Sequence, residues 1–255
     1  MRQKTYFLAV LFALFFSFGM PHTVMACAWG KKVYLATYPR SGNHWMRYLI
    51  EEVTNTVTGS VYCDGDEPLH LPMMFPWGYC PDHGYEGNRP YPKRNDVVMI
   101  KTHFPHQPAQ QLDNRPYIVA IRIVRHPVDS CYSFYTYNHH AYYAYTHLGC
   151  AQPDHIVPKE WIEYFISSWQ QFQYYWNNQP NVLTIRYEDL YYSPESTLKK
   201  VIDAIGYPAQ DSDIKRAVAK YPPRGGTLKY FDHFHPDDLA LIESQLHDLI
   251  IQYKY

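Results

Sequence analysis

LATYPRSGNHW, residues 35–45, joins an apolar run to a helical pattern through a turn of proline, arginine, serine and glycine. The run it closes, KVYLATY (32–38), is continuous and bounded by turn residues, which predicts a strand. The pattern it opens, NHWMRYLIEEVTNT (43–56), predicts a helix. A strand that turns straight into a helix aims the first N–H groups and the positive dipole end at one point, an arrangement suited to an anion. Gly42 permits close backbone approach, and Arg40 adds a permanent charge with a planar fork of donors; a plainer reading makes Ser41 only a helix cap. The loop lacks the Gly-Lys-Ser/Thr ending with which nucleotide triphosphatases hold magnesium, so its anion is one handled without that metal.

Working outward, continuous apolar runs predict further strands at DVVMIKT (96–102), YIVAIRIV (117–124) and NVLTIRY (181–187). Helical patterns lie between and after them: PVDSCYSFYTYNHHAYY (127–143), KEWIEYFISSWQQFQYYWNN (159–178), SPESTLKKVIDAIG (193–206) and HPDDLALIESQLHDLIIQYKY (235–255). The third of these carries a Ser cap, Pro194 at its first position and a closing Gly206. The last places Leu239, Ile242, Leu246, Leu249 and Tyr253 on one stripe. Strand and helix in alternation predict an α/β layer fold with right-handed crossovers around a parallel sheet, whose ligand sits at the carboxyl ends of the strands.

Two further clusters fall at such ends. Arg125 leaves the 117–124 strand and Ser133 lies eight positions on, along the next helix, a natural second phosphate clamp. Lys101 and His103 close the 96–102 strand; two apart on an extended segment, they point the same way. A cation beside an imidazole suits transfer of a charged group to a hydroxyl.

These residues resemble the PAPS-dependent sulfotransferases, whose donor is 3′-phosphoadenosine 5′-phosphosulfate. TYPRSGNHW is similar to the family's 5′-phosphosulfate loop, Tyr-Pro-Lys-Ser-Gly-Thr-Thr-Trp, and RHPVDSCYSFY to its 3′-phosphate motif. IKTHFP resembles the Lys-Thr-His-Leu-Pro segment that carries the base, IRYEDL the family's Tyr-Glu-Asp-Leu, and PPRGGTLKYF its C-terminal Arg-Lys-Gly loop. The five matches run in the family's order from about Lys31 to Phe231. The resemblance implies a three-layer α/β/α fold of the P-loop nucleotide-hydrolase type. It also implies a donor site in which Arg40, with the backbone of Ser41, Gly42, Asn43 and His44, holds the 5′ end. Trp45 stacks on the adenine or serves as a core residue of its helix. Arg125, Ser133 and Arg224 hold the 3′-phosphate, and Tyr187 touches the base. His103 takes the acceptor's proton and Lys101 steadies the departing phosphate, with no metal. The sequence departs from the family at Arg40, where Lys is usual, at Asn43 and His44, which replace two Thr, and around Arg224, where the Gly-Asp-Trp-Lys ending is missing.

Function is thus expected to be sulfuryl transfer to a hydroxyl or amine on a small-molecule, lipid or glycan acceptor. The alternatives are a small-molecule kinase on the same loop and a non-catalytic nucleotide-binding relic. The kinase lacks its Lys-Ser/Thr pair and a clear magnesium carboxylate. A net charge of −1 and a pI near 6.9 argue against generic nucleic-acid binding. His139, His140 and His147 have poor spacing for a metal, and Trp77, Tyr79 and Tyr85 in the 58–95 insertion either border the acceptor pocket or lie on a surface loop.

At the N-terminus, Arg2 and Lys4 precede an apolar run from Phe7 to Met20 and a break at Pro21, which marks residues 1–26 as signal peptide or membrane anchor ahead of a 31–255 sulfotransferase domain. Three readings stay open: a cleaved signal, an uncleaved anchor facing the donor, or a true start at Met25 and a cytoplasmic protein. Cys63, Cys80, Cys131 and Cys150 follow the leader; Cys63 with Cys80 is the favoured disulfide if the chain is exported, and reduced thiols are the alternative.

Overall fold

The structure is a computed structural model that describes residues 32–56, 58–60, 98–106, 117–146 and 156–255, with the side chains of Lys32, Ser60 and 139–146 excepted. The expectations for the leader, for Cys63, Cys80 and Cys150, for Trp77, Tyr79 and Tyr85, and for His147 lie outside the described residues, as do the side chains of His139 and His140. Among the described residues no helix is long and apolar enough to cross a membrane.

Strand β1 (Lys32–Thr37) leads into helix α1 (Asn43–Thr54), followed by the two-residue β2 (Gly59–Ser60) and β3 (Ile100–Thr102). Then come β4 (Tyr117–Val124), α2 (Pro127–Thr146), α3 (Lys159–Asn177) and β5 (Val182–Arg186). The chain closes with α4 (Tyr187–Tyr192), α5 (Pro194–Ala204), α6 (Asp211–Lys220), a short 3₁₀ turn (Phe231–His233) and α7 (Pro236–Gln252). The sheet is parallel throughout, in the order β2-β3-β1-β4-β5. After β1 the chain moves to one side, to β2 and β3, and after β3 it crosses back to lay β4 and β5 on the other. The carboxyl end of β1 is therefore the switch point, where ligands of open α/β sheets bind.

Alternation along the strands divides the interior into two cores. Val33, Leu35, Ile121 and Ile123 pack with α1, α5 and α6 on one face, while Tyr34, Ala36, Ala120 and Val124 pack with α2, α3 and α7 on the other. This is the three-layer α/β/α arrangement. The expected α7 stripe faces the second core, with Ile242, Leu246, Leu249 and Tyr253 buried and Leu239 packed at its edge.

Several local expectations change. The 181–187 strand stops at Arg186, and Tyr187 opens a helix whose first turn carries Glu188 and Asp189, acids that favour a helix N-terminus. Ser193 stands at the start of α5, but its side chain makes no cap bond; its N–H already closes α4 on Asp189 O at 2.9 Å, so one residue serves two helix ends. Gly206 follows the end of α5 at φ 72°, as a helix-closing glycine should. Helix α6 has no counterpart in the sequence reading. Only Ile214 and Ala217 of it are buried, and its capping box uses Gln210 with Asp213, so neither its periodicity nor its cap is conspicuous.

Candidate active site

Each predicted motif reaches the carboxyl edge of the sheet. The turn after β1 puts Arg40 at φ 66° and Gly42 at φ 98°, the left-handed region that only glycine enters without cost. Space dictates glycine there as well: a Cβ on Gly42 would lie 2.7 Å from Cδ2 of Tyr187. We expect Gly42→Ala to cost about 1–3 kcal/mol, read as a fall in Tm. Gly206→Ala, with a similar φ and nothing within 4 Å, is expected to cost less.

Arg40 and Arg125 meet. Arg125 Nη1 donates to the Arg40 carbonyl at 3.0 Å, and Arg40 Nε donates to Ser133 Oγ at 3.3 Å. Ser133, expected beside Arg125 in a separate clamp, therefore joins the first arginine to the helix of the second. Partial desolvation, with the Arg125 charge beside it, lowers the Arg40 guanidinium from its ordinary value while the Tyr137 ring opposes this; it stays protonated throughout the physiological range. Tyr137 also lies 5.0 Å from the guanidinium, a cation–π contact the sequence did not advertise.

Arg125 is 6% exposed and rests 4.7 Å over the Tyr187 ring. Its Nη2 lies 3.5 Å from Asp129 Oδ2, and Asp129, fully buried, also accepts from the N–H groups of Leu228 at 2.7 Å and Lys229 at 3.2 Å. Asp129 thereby joins the arginine to the 225–230 glycine loop. An Asp four residues after an Arg, in the first turn of a helix, is the sequence signal that could have found it. Among the described residues the buried Nε of Arg125 has no hydrogen-bond partner, and neither has Oδ1 of Asn43 at the head of α1. Arg122, three residues earlier on β4 and also buried, differs: all three of its nitrogens are engaged by Thr184, Gln173 and Asn177. A buried guanidinium with an unspent donor, next to a second guanidinium, suits a polyanion.

Tyr187 is wedged between Arg125, Gly42 and Trp45, whose ring meets it edge-on at 5.9 Å. The Trp45 indole N–H donates to Tyr221 O at 2.8 Å, which fixes the ring against α6. Ser41 is buried, its Oγ 3.5 Å from Ser130 Oγ; the residue capping α1 is Gly42, without a side-chain bond, so Ser41 is not the helix cap. His44 is exposed at the head of α1. Arg224, by contrast with Arg125, is exposed.

His103 follows β3 and is 6% exposed. Its Nδ1 lies 2.6 Å from the Thr37 carbonyl at the end of β1, a contact that requires the proton on Nδ1 and puts the basic lone pair on Nε2. Lys101, 8% exposed, is in register with Leu35, so it shares the α1 face of the sheet. Tyr38, His106, Phe134 and Tyr164 form an aromatic wall beside this edge, with His106 4.7 Å from Tyr38, 5.4 Å from Phe134 and 6.2 Å from Tyr164. Burial lowers the His106 pKa to about 4, so the ring is neutral near pH 7. No group of three or more metal-ligating side chains occurs among the described residues.

A family model described as "Sulfotransferase domain" matches residues 30–221, most of the chain and both arginine turns. This chain belongs to the sulfotransferase domain family. The sulfotransferase chain is 25% identical over 195 residues to WSCD family member CG9164 of Drosophila melanogaster, covering 73% of this chain and 54% of that protein. It is 27% identical over 192 residues to Sulfotransferase 1A1 of Mus musculus, covering 70% and 61%. The chain thus spans a little over half the length of the curated relatives it matches. The solved sulfotransferase domain from the curacin biosynthetic pathway superposes with a TM-score of 0.50 at 14% identity, over 85% of this chain and 97% of that one. That likeness establishes the fold, the P-loop-like α/β arrangement, for this sulfotransferase domain.

Proposed function

We propose that the chain transfers a sulfuryl group from 3′-phosphoadenosine 5′-phosphosulfate to a hydroxyl or amine acceptor. The observation that carries this reading is the meeting of Arg40 and Arg125 at the switch point, the second with a buried donor unspent. Two adjacent guanidiniums repel unless an anion lies between or across them, and a nucleotide with phosphates at both 3′ and 5′ positions supplies one for each. Arg40 and the amides of residues 41–44 would hold the 5′ end, with Arg125 and Ser133 on the 3′-phosphate and Tyr187 and Trp45 near the base.

The transfer needs one group to take a proton and others to stabilise charge. Nε2 of His103 takes the proton of the attacking hydroxyl or amine as the new bond to sulfur forms. The bond from sulfur to the 5′-phosphate oxygen breaks, and the departing bisphosphate keeps that electron pair. Arg40 and Lys101 stabilise the charge collecting on it, a role of positioned donors that requires no metal. Tyr164, half exposed against His106, supports an acceptor with a flat or apolar body.

Calorimetry with adenosine 3′,5′-bisphosphate, followed by incubation with sulfur-labelled donor and a panel of phenols, lipids and glycans, tests the reading. Micromolar binding with label transferred to at least one acceptor is expected. No binding would overturn it, and binding without transfer to any class of acceptor would leave the nucleotide-binding relic in its place.

A further inference from the structure

The turn that presents Arg125 is held from behind by a carboxylate that the chemistry itself does not use. Glu188 is 2% exposed; its Oε1 accepts the His126 N–H at 3.0 Å, and its Oε2 accepts the Tyr255 hydroxyl at 2.9 Å. His126 sits between Arg125 and Pro127, the first residue of α2, so that carboxylate lies at the positive end of a 20-residue helix. Tyr187, one residue before Glu188, supports the Arg125 guanidinium through its ring. One dipeptide, Tyr187–Glu188, thus grips another, Arg125–His126, by side chain and by backbone at once.

Tyr255 completes the grip from a distant part of the sequence. Its ring meets His126 edge-on at 5.1 Å, and the Arg186 guanidinium lies 4.7 Å over it. The residue lies beyond the 30–221 segment that the family model matches. A buried carboxylate is stable only while its oxygens are hydrogen-bonded. Burial pushes the Glu188 carboxyl above its ordinary pKa, opposed by the His126 amide and the Tyr255 hydroxyl among others, so the hydroxyl helps keep Glu188 ionised and directed at the turn.

We propose that Glu188 and Tyr255 are positioning residues for donor binding: Tyr255 holds Glu188, and Glu188 holds the Arg125–His126 turn in the orientation that presents Arg125 to the donor's 3′-phosphate. This rests on the donor reading above. Neither residue touches the reacting atoms, so the effect falls on the donor and not on the chemical step.

The test measures adenosine 3′,5′-bisphosphate affinity by calorimetry, and kcat and KM for donor and acceptor, in the full chain and in three variants. Glu188→Ala is expected to weaken bisphosphate binding and raise donor KM about tenfold, with kcat and acceptor KM within about twofold of the parent. Tyr255→Phe, which keeps the ring and deletes only the hydroxyl, is expected to weaken binding about three- to fivefold and to stay folded. Glu188→Gln, whose amide oxygen still accepts from His126, recovers most of the affinity. Equal bisphosphate affinity in the parent, Glu188→Ala and Tyr255→Phe overturns the positioning role and leaves the donor reading standing. A parent chain that binds no bisphosphate overturns the donor reading itself, and losses spread equally over kcat and both KM values overturn the positioning role in favour of a general structural one.

Discussion

Arg125→Ala is expected to abolish measurable binding of adenosine 3′,5′-bisphosphate, a loss of at least about a hundredfold. Removing one partner of a buried, hydrogen-bonded charge pair costs about 3–5 kcal/mol, which is roughly two to four orders of magnitude in affinity. Arg125 answers that description on three counts: it is almost fully buried, it donates to the Arg40 carbonyl, and it pairs with the buried Asp129. The substitution also strips Asp129 of its cation, so part of the loss would be structural. Arg125→Lys separates the two effects. It keeps a charge near Asp129, and hence most of the Tm, but a single ammonium cannot span the Arg40 carbonyl, Asp129 and a phosphate together. Bisphosphate binding should stay at least about tenfold weaker in the lysine variant. Parent-like affinity in either variant would show that Arg125 is no phosphate ligand.

The second large effect is expected at His103. Loss of a general base costs about 10²–10⁴-fold in kcat, and His103→Ala should fall in that range while donor affinity stays within about twofold. The geometry behind this is the contact between Nδ1 and the Thr37 carbonyl, which puts the proton on Nδ1, assigns the proposed base role to Nε2, and holds the ring to the end of β1. His103→Asn is the sharper variant: its amide N–H2 can replace the bond to Thr37 but provides no base. Both variants should be equally inactive in labelled-sulfate transfer. Full activity in the asparagine variant would reduce His103 to a brace between β1 and β3.

Burial explains which parts of the molecule were legible. The strand of residues 117–124 has the same bounds in the fold as in the sequence reading, because it is buried over most of its length between two helical layers and reads as an unbroken apolar run. The α7 stripe was equally plain, since one face of that helix meets one core. Helix α6 leaves no such pattern because it buries two residues, Ile214 and Ala217, and is held instead by Arg216 and Lys220 on Glu52 of α1. Such ion pairs between distant segments leave no periodicity to detect.

By itself the sequence determined the alternating α/β architecture, the motifs at the strand ends and the family they resemble. Those features depend on neighbours along the chain: runs, caps, and spacings such as the eight positions from Arg125 to Ser133. Only the tertiary structure decided that Arg125 donates to the Arg40 carbonyl and that Ser133 accepts from Arg40. It alone brought Glu188 and Tyr255, 67 residues apart, together behind the donor turn. The reason is physical. The parallel order β3-β1-β4 sets the ends of three strands side by side, and which donors are then spent on the protein or left for a ligand depends on contacts between segments that no local pattern encodes.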